Sequence, residues 1–176
     1  MFASSSAPRR IAVLSSASGS GKTTLARSLA TRHGLPYHEL DALHHGPNWS
    51  EPTAEEFTAL VAPIVAEPAW VIDGSYRGKL GDLVLGRAEL VVWLDLPRRV
   101  WLPRLVRRSV VRVFTREELW NGNRETLRDV FVGRDSLVRY AWRTFPERRN
   151  RYPAELEPFP TVRLRTRKDV RSFQLT

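Results

Sequence analysis

The stretch Ile11–Thr24, IAVLSSASGSGKTT, constrains what this chain can fold into more than any other. Apolar residues of strand length run into Ser and Gly. From Lys22 the apolar positions Leu25, Ala26, Leu29 and Ala30 take helical spacing, and Gly34 stands where a helix would stop. A buried strand that enters a helix through a Gly-rich turn points several backbone N–H groups, and the positive end of the helix, at one spot. Ser18, Gly19, Ser20, Gly21, Lys22, Thr23 and Thr24 form the anion-binding end of a G-x-x-x-x-G-K-[ST] motif. Gly19 and Gly21 give the backbone its freedom, Lys22 puts a cation on the outer phosphates, and Thr23 offers a hydroxyl to Mg²⁺. Ser16 stands where the motif opens with glycine. That position serves turn geometry, so Ser16 is expected to strain the loop without emptying the site. An ordinary Gly/Ser turn would share the composition; the flanking strand and helix favour phosphate.

The rest of the chain continues the pattern. LPYHELD reads as a second strand ending near Asp41, followed by the loop HHGPNWSEP. Thr53 and Glu56 make a capping box for a helix whose apolar face is Phe57, Leu60, Val61, Ile64 and Val65. AWVID, ELVVWLDL and TVRLR read as three more strands, and a short last helix is expected from Asp169. The segment between Arg98 and Arg151 is helical in pattern, with Pro103 expected to bend its first helix. Short apolar strands alternating with helices predict an α/β fold. The expected architecture is a three-layer P-loop NTPase fold: a five-stranded parallel sheet with helices on both faces and an Arg-rich helical lid. Ligands of such sheets sit at the carboxyl ends of the strands. Here that means the loops after Leu14, Asp41, Asp73 and Asp95.

At 176 residues the chain suits one domain. A flexible tail is expected over 1–8 and a single domain over 9–176, with an acceptor-site region at about 41–68 and an Arg-rich lid at about 104–151. The absence of cysteine excludes disulfides and thiolate metal sites and suits a cytoplasmic protein. No apolar run approaches the roughly 20 residues of a membrane span. The net charge of +9 is concentrated: Pro97 to Arg151 holds fifteen arginines against six acids, and the remainder is neutral. Such a block suits either nucleic acid or a polyphosphate clamp.

With VIDGSYRG after the third strand and VVWLDLPRRVWLPRLVRR around the fourth, the chain resembles the adenylate-kinase-like P-loop kinases. LDALHHGPNW and LWNGNRE look more closely like the small bacterial ATPases known as DNA topology modulation proteins. The resemblance runs from about Arg9 to the end. It implies that Asp73 holds the metal through water beside Thr23, that Arg77 grips the acceptor's anion, and that Arg104 lies against adenine while Arg108 reaches the phosphates. It also implies that Arg124 and Arg134 close the lid, and that Asp41 receives an acceptor hydroxyl. The sequence leaves open which of His38, Glu39 and Asp41 faces the site. The bland alternatives are a helix cap for Asp41 and solvated surface for any single Arg. Asp95 is expected to steady the phosphate loop or cap the next helix. A metal site at His38, His44 and His45 is disfavoured, because neighbouring histidines seldom reach one ion. Trp49 is expected to wall the acceptor pocket, whereas Trp70, Trp93 and Trp101 belong to the core.

The function expected is an ATP- and Mg²⁺-dependent phosphotransferase acting on a nucleoside monophosphate or a hydroxylated metabolite. Its partners would be ATP and that acceptor, with no membrane. The alternatives are a nucleotide-dependent nucleic-acid-binding protein and an ATP-binding sensor. Lys22→Ala is expected to leave the fold intact, as a loop residue that packs little.

Overall fold

The computed structural model describes residues 7–133, 136–173 and 175. Most of the expected tail, and the lid candidate Arg134, lie outside the described residues.

Five strands, β1 (Arg10–Ser15), β2 (Tyr37–Glu39), β3 (Trp70–Asp73), β4 (Leu90–Leu94) and β5 (Thr161–Leu164), form one sheet. Their order is β2-β3-β1-β4-β5 and every pairing is parallel. Ile11, Ala12, Val13 and Leu14 are buried on both faces, as a central strand of a covered parallel sheet requires. Their alternation splits the core in two. Ala12, Leu14, Trp70, Ile72 and Trp93 face α3 (Ala54–Ala66), packing on Phe57, Val61 and Val65. Ile11, Val13, Val71, Val92 and Leu94 face α1 (Lys22–His33), packing on Leu25, Ala26 and Leu29. The result is the three-layer α/β architecture, with helices on both faces of a five-stranded parallel sheet.

Local signals hold closely. Gly34 ends α1 in the left-handed conformation, and the Thr53–Glu56 capping box opens α3. Two expectations shift. Leu60 turns outward at 48 % exposure, so the buried stripe of α3 is Phe57, Val61 and Val65 at four-residue steps. The last helix, Arg167–Ser172, starts two residues earlier than expected, because Thr166 caps it and Asp169 is the third residue of that box.

The second strand is shorter than the segment LPYHELD expected to form it. Pairing ends where Glu39 meets Asp73, and Leu40 turns fully into the core, so the chain closes a short helix, α2 (Leu40–His44). Asp41 therefore sits in the first turn of a helix rather than at a strand's end. A further helix, α4 (Arg77–Leu80), follows β3. The Arg-rich segment forms α5 (Arg98–Thr115), α6 (Leu127–Phe131) and α7 (Leu137–Leu156), and α5 runs continuously through Pro103. Ala17, Trp101, Leu105, Ala141 and Phe145 form a third apolar cluster that fastens α5 and α7 beside the loop after β1. Among the described residues no helix is long and apolar enough to cross a membrane.

Candidate functional site

Strand register assembles the site. Val13 pairs with Asp73 and Asp73 with Glu39, so the loops after β1, β2 and β3 leave the same edge of the sheet. They open into a cleft of about 2000 Å³. Ser18, Gly19, Ser20, Gly21, Lys22, Thr23 and Thr24 line it on one side and Asp41, Tyr76 and Arg77 on the other. The helix arginines Arg104 and Arg108 line it as well.

The loop after β1 turns at Gly19 (φ 79°) and Gly21 (φ 92°), both left-handed. A Cβ on Gly19 would lie 2.8 Å from the Trp101 carbonyl and 2.9 Å from Leu105, so α5 packs on bare backbone there. Ser16 contradicts the expected strain, since its φ is not in the left-handed region. It is 1 % exposed, and its hydroxyl is used twice, donating to Asp95 Oδ1 (3.2 Å) and accepting the Trp93 indole N–H (2.9 Å). Asp95 is fully buried and takes Arg163 through Nε (3.1 Å) and Nη2 (2.6 Å), with Arg149 Nε at 3.3 Å. The loop is thus tied through Ser16 and Asp95 to β5 and α7, which agrees with the steadying role expected for Asp95.

Asp73, at the end of β3, is the hub behind the phosphate loop. Fully buried, it meets Lys22 Nζ through Oδ1 at 2.6 Å, while Oδ2 accepts from the hydroxyls of Thr23 (2.6 Å) and Tyr37 (3.2 Å). Burial works against the Lys22 charge, but Asp73, Asp41 and Glu39 outweigh it and raise the pKa above the usual lysine value. With Asp73 buried and already carrying the Lys22 ammonium, the group of this pair that lines the cleft and can offer an oxygen to a hard divalent cation is the Thr23 hydroxyl, backed by Asp73. Lys22 is therefore not the loosely packed loop residue expected; it opens α1 and compensates a buried carboxylate.

Strand alternation decides among the three residues around β2. Glu39 lines the cleft and pairs with Arg27 (3.1 Å), while His38 points the other way to Glu67 (3.4 Å). Asp41 lines the cleft and caps no helix among the described residues; its Oδ1 accepts the Tyr76 hydroxyl at 2.6 Å. Tyr76 holds a left-handed backbone (φ 44°), unusual for an aromatic residue, and its ring stacks on His44 at 4.4 Å. Burial and the Asp41 carboxylate push its hydroxyl far above the usual tyrosine pKa, so it stays a hydrogen-bond donor.

The arginines divide. Arg108 makes no ion pair among the described residues. It touches solvent along the cleft, yet shielding by surrounding protein, and then the charge of Arg112, lower its pKa. Arg77 reaches the cleft wall but is engaged, by Asp82 at 2.6 Å and by the Glu155 carbonyl at 3.1 Å. Arg124 is exposed, pairs with Glu118 at 3.7 Å and does not line the cleft. Arg112, Arg148 and Arg151 line it without having been singled out in the sequence, as do Tyr76 and Lys79. Trp49 walls the cleft as expected, and Trp70, Trp93 and Trp101 are buried. His44, His45 and Glu51 bring ligand atoms within 4.8 Å, but Glu51 Oε2 already carries the Lys79 ammonium at 2.9 Å, a cation in its own right.

No family model matches the chain, and no curated protein matches its sequence. Solved structures do. A gluconokinase from Sinorhizobium meliloti 1021 is 22 % identical, with 93 % of this chain and 86 % of that one covered at a TM-score of 0.52. A shikimate kinase from Bacteroides thetaiotaomicron is 15 % identical, with 94 % of each chain covered at 0.57. A deoxyadenosine kinase from M. mycoides is 12 % identical, with 92 % of this chain and 93 % of that one covered at 0.58. These likenesses show a shared fold and lend nothing to the DNA-topology side of the resemblance drawn from the sequence. The chain has the fold of the P-loop kinases.

Proposed function

We propose that this protein is an ATP- and Mg²⁺-dependent phosphotransferase acting on a small molecule that enters the cleft between the phosphate loop and Asp41. The observation that carries the reading is the convergence of Lys22, Thr23 and Asp73 at one lip, with Asp41 across the same cleft. The fold neighbours, named as kinases of gluconate, shikimate and deoxyadenosine, support phosphoryl transfer to a small acceptor.

Phosphoryl transfer asks for charge compensation and alignment more than for covalent chemistry. Lys22, kept protonated by its acidic neighbours, supplies a fixed cation where the outer phosphates lie on the loop N–H groups. Arg104 and Arg108 add guanidinium donors from α5. Thr23, backed by Asp73, would hold Mg²⁺, which neutralises phosphate charge when bound. With a hydroxyl acceptor, Asp41 takes the proton as the oxygen attacks, and Tyr76 orients the carboxylate through its 2.6 Å bond. With a phosphate acceptor no base is needed, and Asp41 positions the substrate.

The basic segment fits this reading better than nucleic-acid binding. Arg112, Arg149 and Arg151 are paired internally with carboxylates, and Arg98 lies 4.1 Å from the Trp142 ring. Calorimetric titration of MgATP into wild type and Lys22→Ala tests the nucleotide half. Binding is expected in the wild type and at least about tenfold weaker in the variant. Equal affinity would place the nucleotide elsewhere.

A further inference from the structure

Two loops that lie 74 to 79 residues apart in sequence are clasped together at the cleft mouth. Each contains a 3-10 turn, Pro47–Trp49 and Trp120–Gly122, and each turn holds one asparagine in the left-handed conformation, Asn48 (φ 55°) and Asn121 (φ 56°). Asn121 Nδ2 donates to the carbonyls of His45 (2.6 Å) and Ala42 (3.4 Å). Asn123, 4 % exposed, donates from Nδ2 to the Gly46 carbonyl (2.9 Å) and to Trp120 in its own turn (2.8 Å). Its Oδ1 accepts the Trp49 backbone N–H (2.9 Å). The His45 ring stacks on Trp120 at 5.5 Å and 28°. Every hydrogen bond across the clasp ends on backbone of residues 42–49, so it fixes the shape of that loop rather than one side chain.

The other end of the clasp is anchored to the phosphate loop. Arg112 of α5 pairs with Glu125 (3.2 Å) and Glu117 (3.5 Å), which bracket the Trp120 turn. One turn earlier Arg108 lines the cleft, and the first half of α5 lies on the bare backbone of Gly19. A contiguous path therefore runs from the phosphate loop through α5 and the 117–125 segment to the loop carrying His45 and Trp49.

We infer that Asn121 and Asn123 are positioning residues that make the Arg-rich segment and the acceptor-side loop one body. Drawing the arginines onto bound nucleotide then carries Trp49 and His45 with them, and nucleotide binding shapes the acceptor pocket. This rests on the phosphotransferase reading for its purpose, although the clasp itself does not. A closure that completes the acceptor pocket only when nucleotide is present also limits transfer to water.

Hydrogen exchange on the full chain tests it in two arms, with Asn123→Ala and with Asn121→Gly, the latter removing a carboxamide while keeping the left-handed turn unstrained. Without ligand, the Trp49 amide is expected to exchange about tenfold faster in Asn123→Ala, with β1 amides unchanged. An unchanged Trp49 amide in both variants overturns the clasp. With MgADP·AlF₄⁻ or a non-hydrolysable ATP analogue, residues 42–50 and 117–125 are expected to gain protection together in the wild type. In either variant only 117–125 should respond. Wild-type protection of one segment alone, or a loop that still follows in both variants, overturns the coupling. If neither analogue binds, the phosphotransferase reading fails and the coupling with it, while the ligand-free arm still decides the clasp.

Discussion

Ser16 and Asp95 share a buried hydrogen bond of 3.2 Å, and through it the phosphate loop is fastened to the far side of the sheet. The same hydroxyl satisfies the Trp93 indole at 2.9 Å, and Asp95 in turn receives Arg163 and Arg149. The departure from glycine at the motif's first position therefore builds a strut behind the loop.

Ser16→Gly, which restores the usual motif residue, is expected to lower stability by about 1–3 kcal/mol, because a buried indole N–H and a carboxylate oxygen each lose a partner. Urea denaturation measures this. Unchanged stability, or a gain, would show that the strut contributes nothing.

Lys22→Ala is expected to abolish transfer and also to cost stability, on the order of 1–3 kcal/mol, since Asp73 stays buried with only the Thr23 and Tyr37 hydroxyls as partners. Thermal unfolding of the variant checks the second effect. A wild-type melting temperature would mean that the ion pair is thermodynamically neutral.

Asp41→Asn separates two acceptor chemistries. It is expected to lower kcat by about 10²–10⁴ for a hydroxyl acceptor, where a proton must leave, and far less for a phosphate acceptor. Equal loss with both acceptor types would mean that Asp41 positions substrate in either case.

His44 carries a pH signature. Burial lowers its pKa below the usual histidine value, and the Lys79 and His45 charges act the same way, against Glu51 and Asp41. The unfolded chain therefore binds the proton more readily than the folded one. Stability is expected to fall as pH drops through about 6.5 and to level off below the folded pKa. His44→Phe should flatten that window, as the site is packed against Phe57 and Tyr76. Denaturation midpoints between pH 7 and pH 5 decide it, and a slope unchanged in the variant would contradict the assignment.

What could be read in the sequence was local. The glycine turn, the Thr53–Glu56 box and four of the five strands depend on neighbours a few residues away and stand close to where the pattern put them, whereas the second strand stops at Glu39. The site's second half depends on register. Asp41 sits in a helix because strand pairing stops at Glu39 and Leu40 turns into the core, which no local propensity announces. Tyr76 was visible between Asp73 and Arg77, but its role needs the 35-residue reach to Asp41. Ser16 looked like a defect because its partners, Trp93 and Asp95, lie far along the chain. Among fifteen similar arginines, only packing separates Arg108 on the cleft from Arg124 paired at the surface.

The most direct measurement is transfer of the labelled γ-phosphate of ATP, with Mg²⁺, to a panel of sugar acids, nucleosides and nucleoside monophosphates, with Lys22→Ala as the control. A labelled product from one acceptor class, absent with the variant, is the predicted result. MgATP binding without product from any acceptor, together with nucleic-acid affinity that falls steeply with salt and survives Lys22→Ala, would contradict the account.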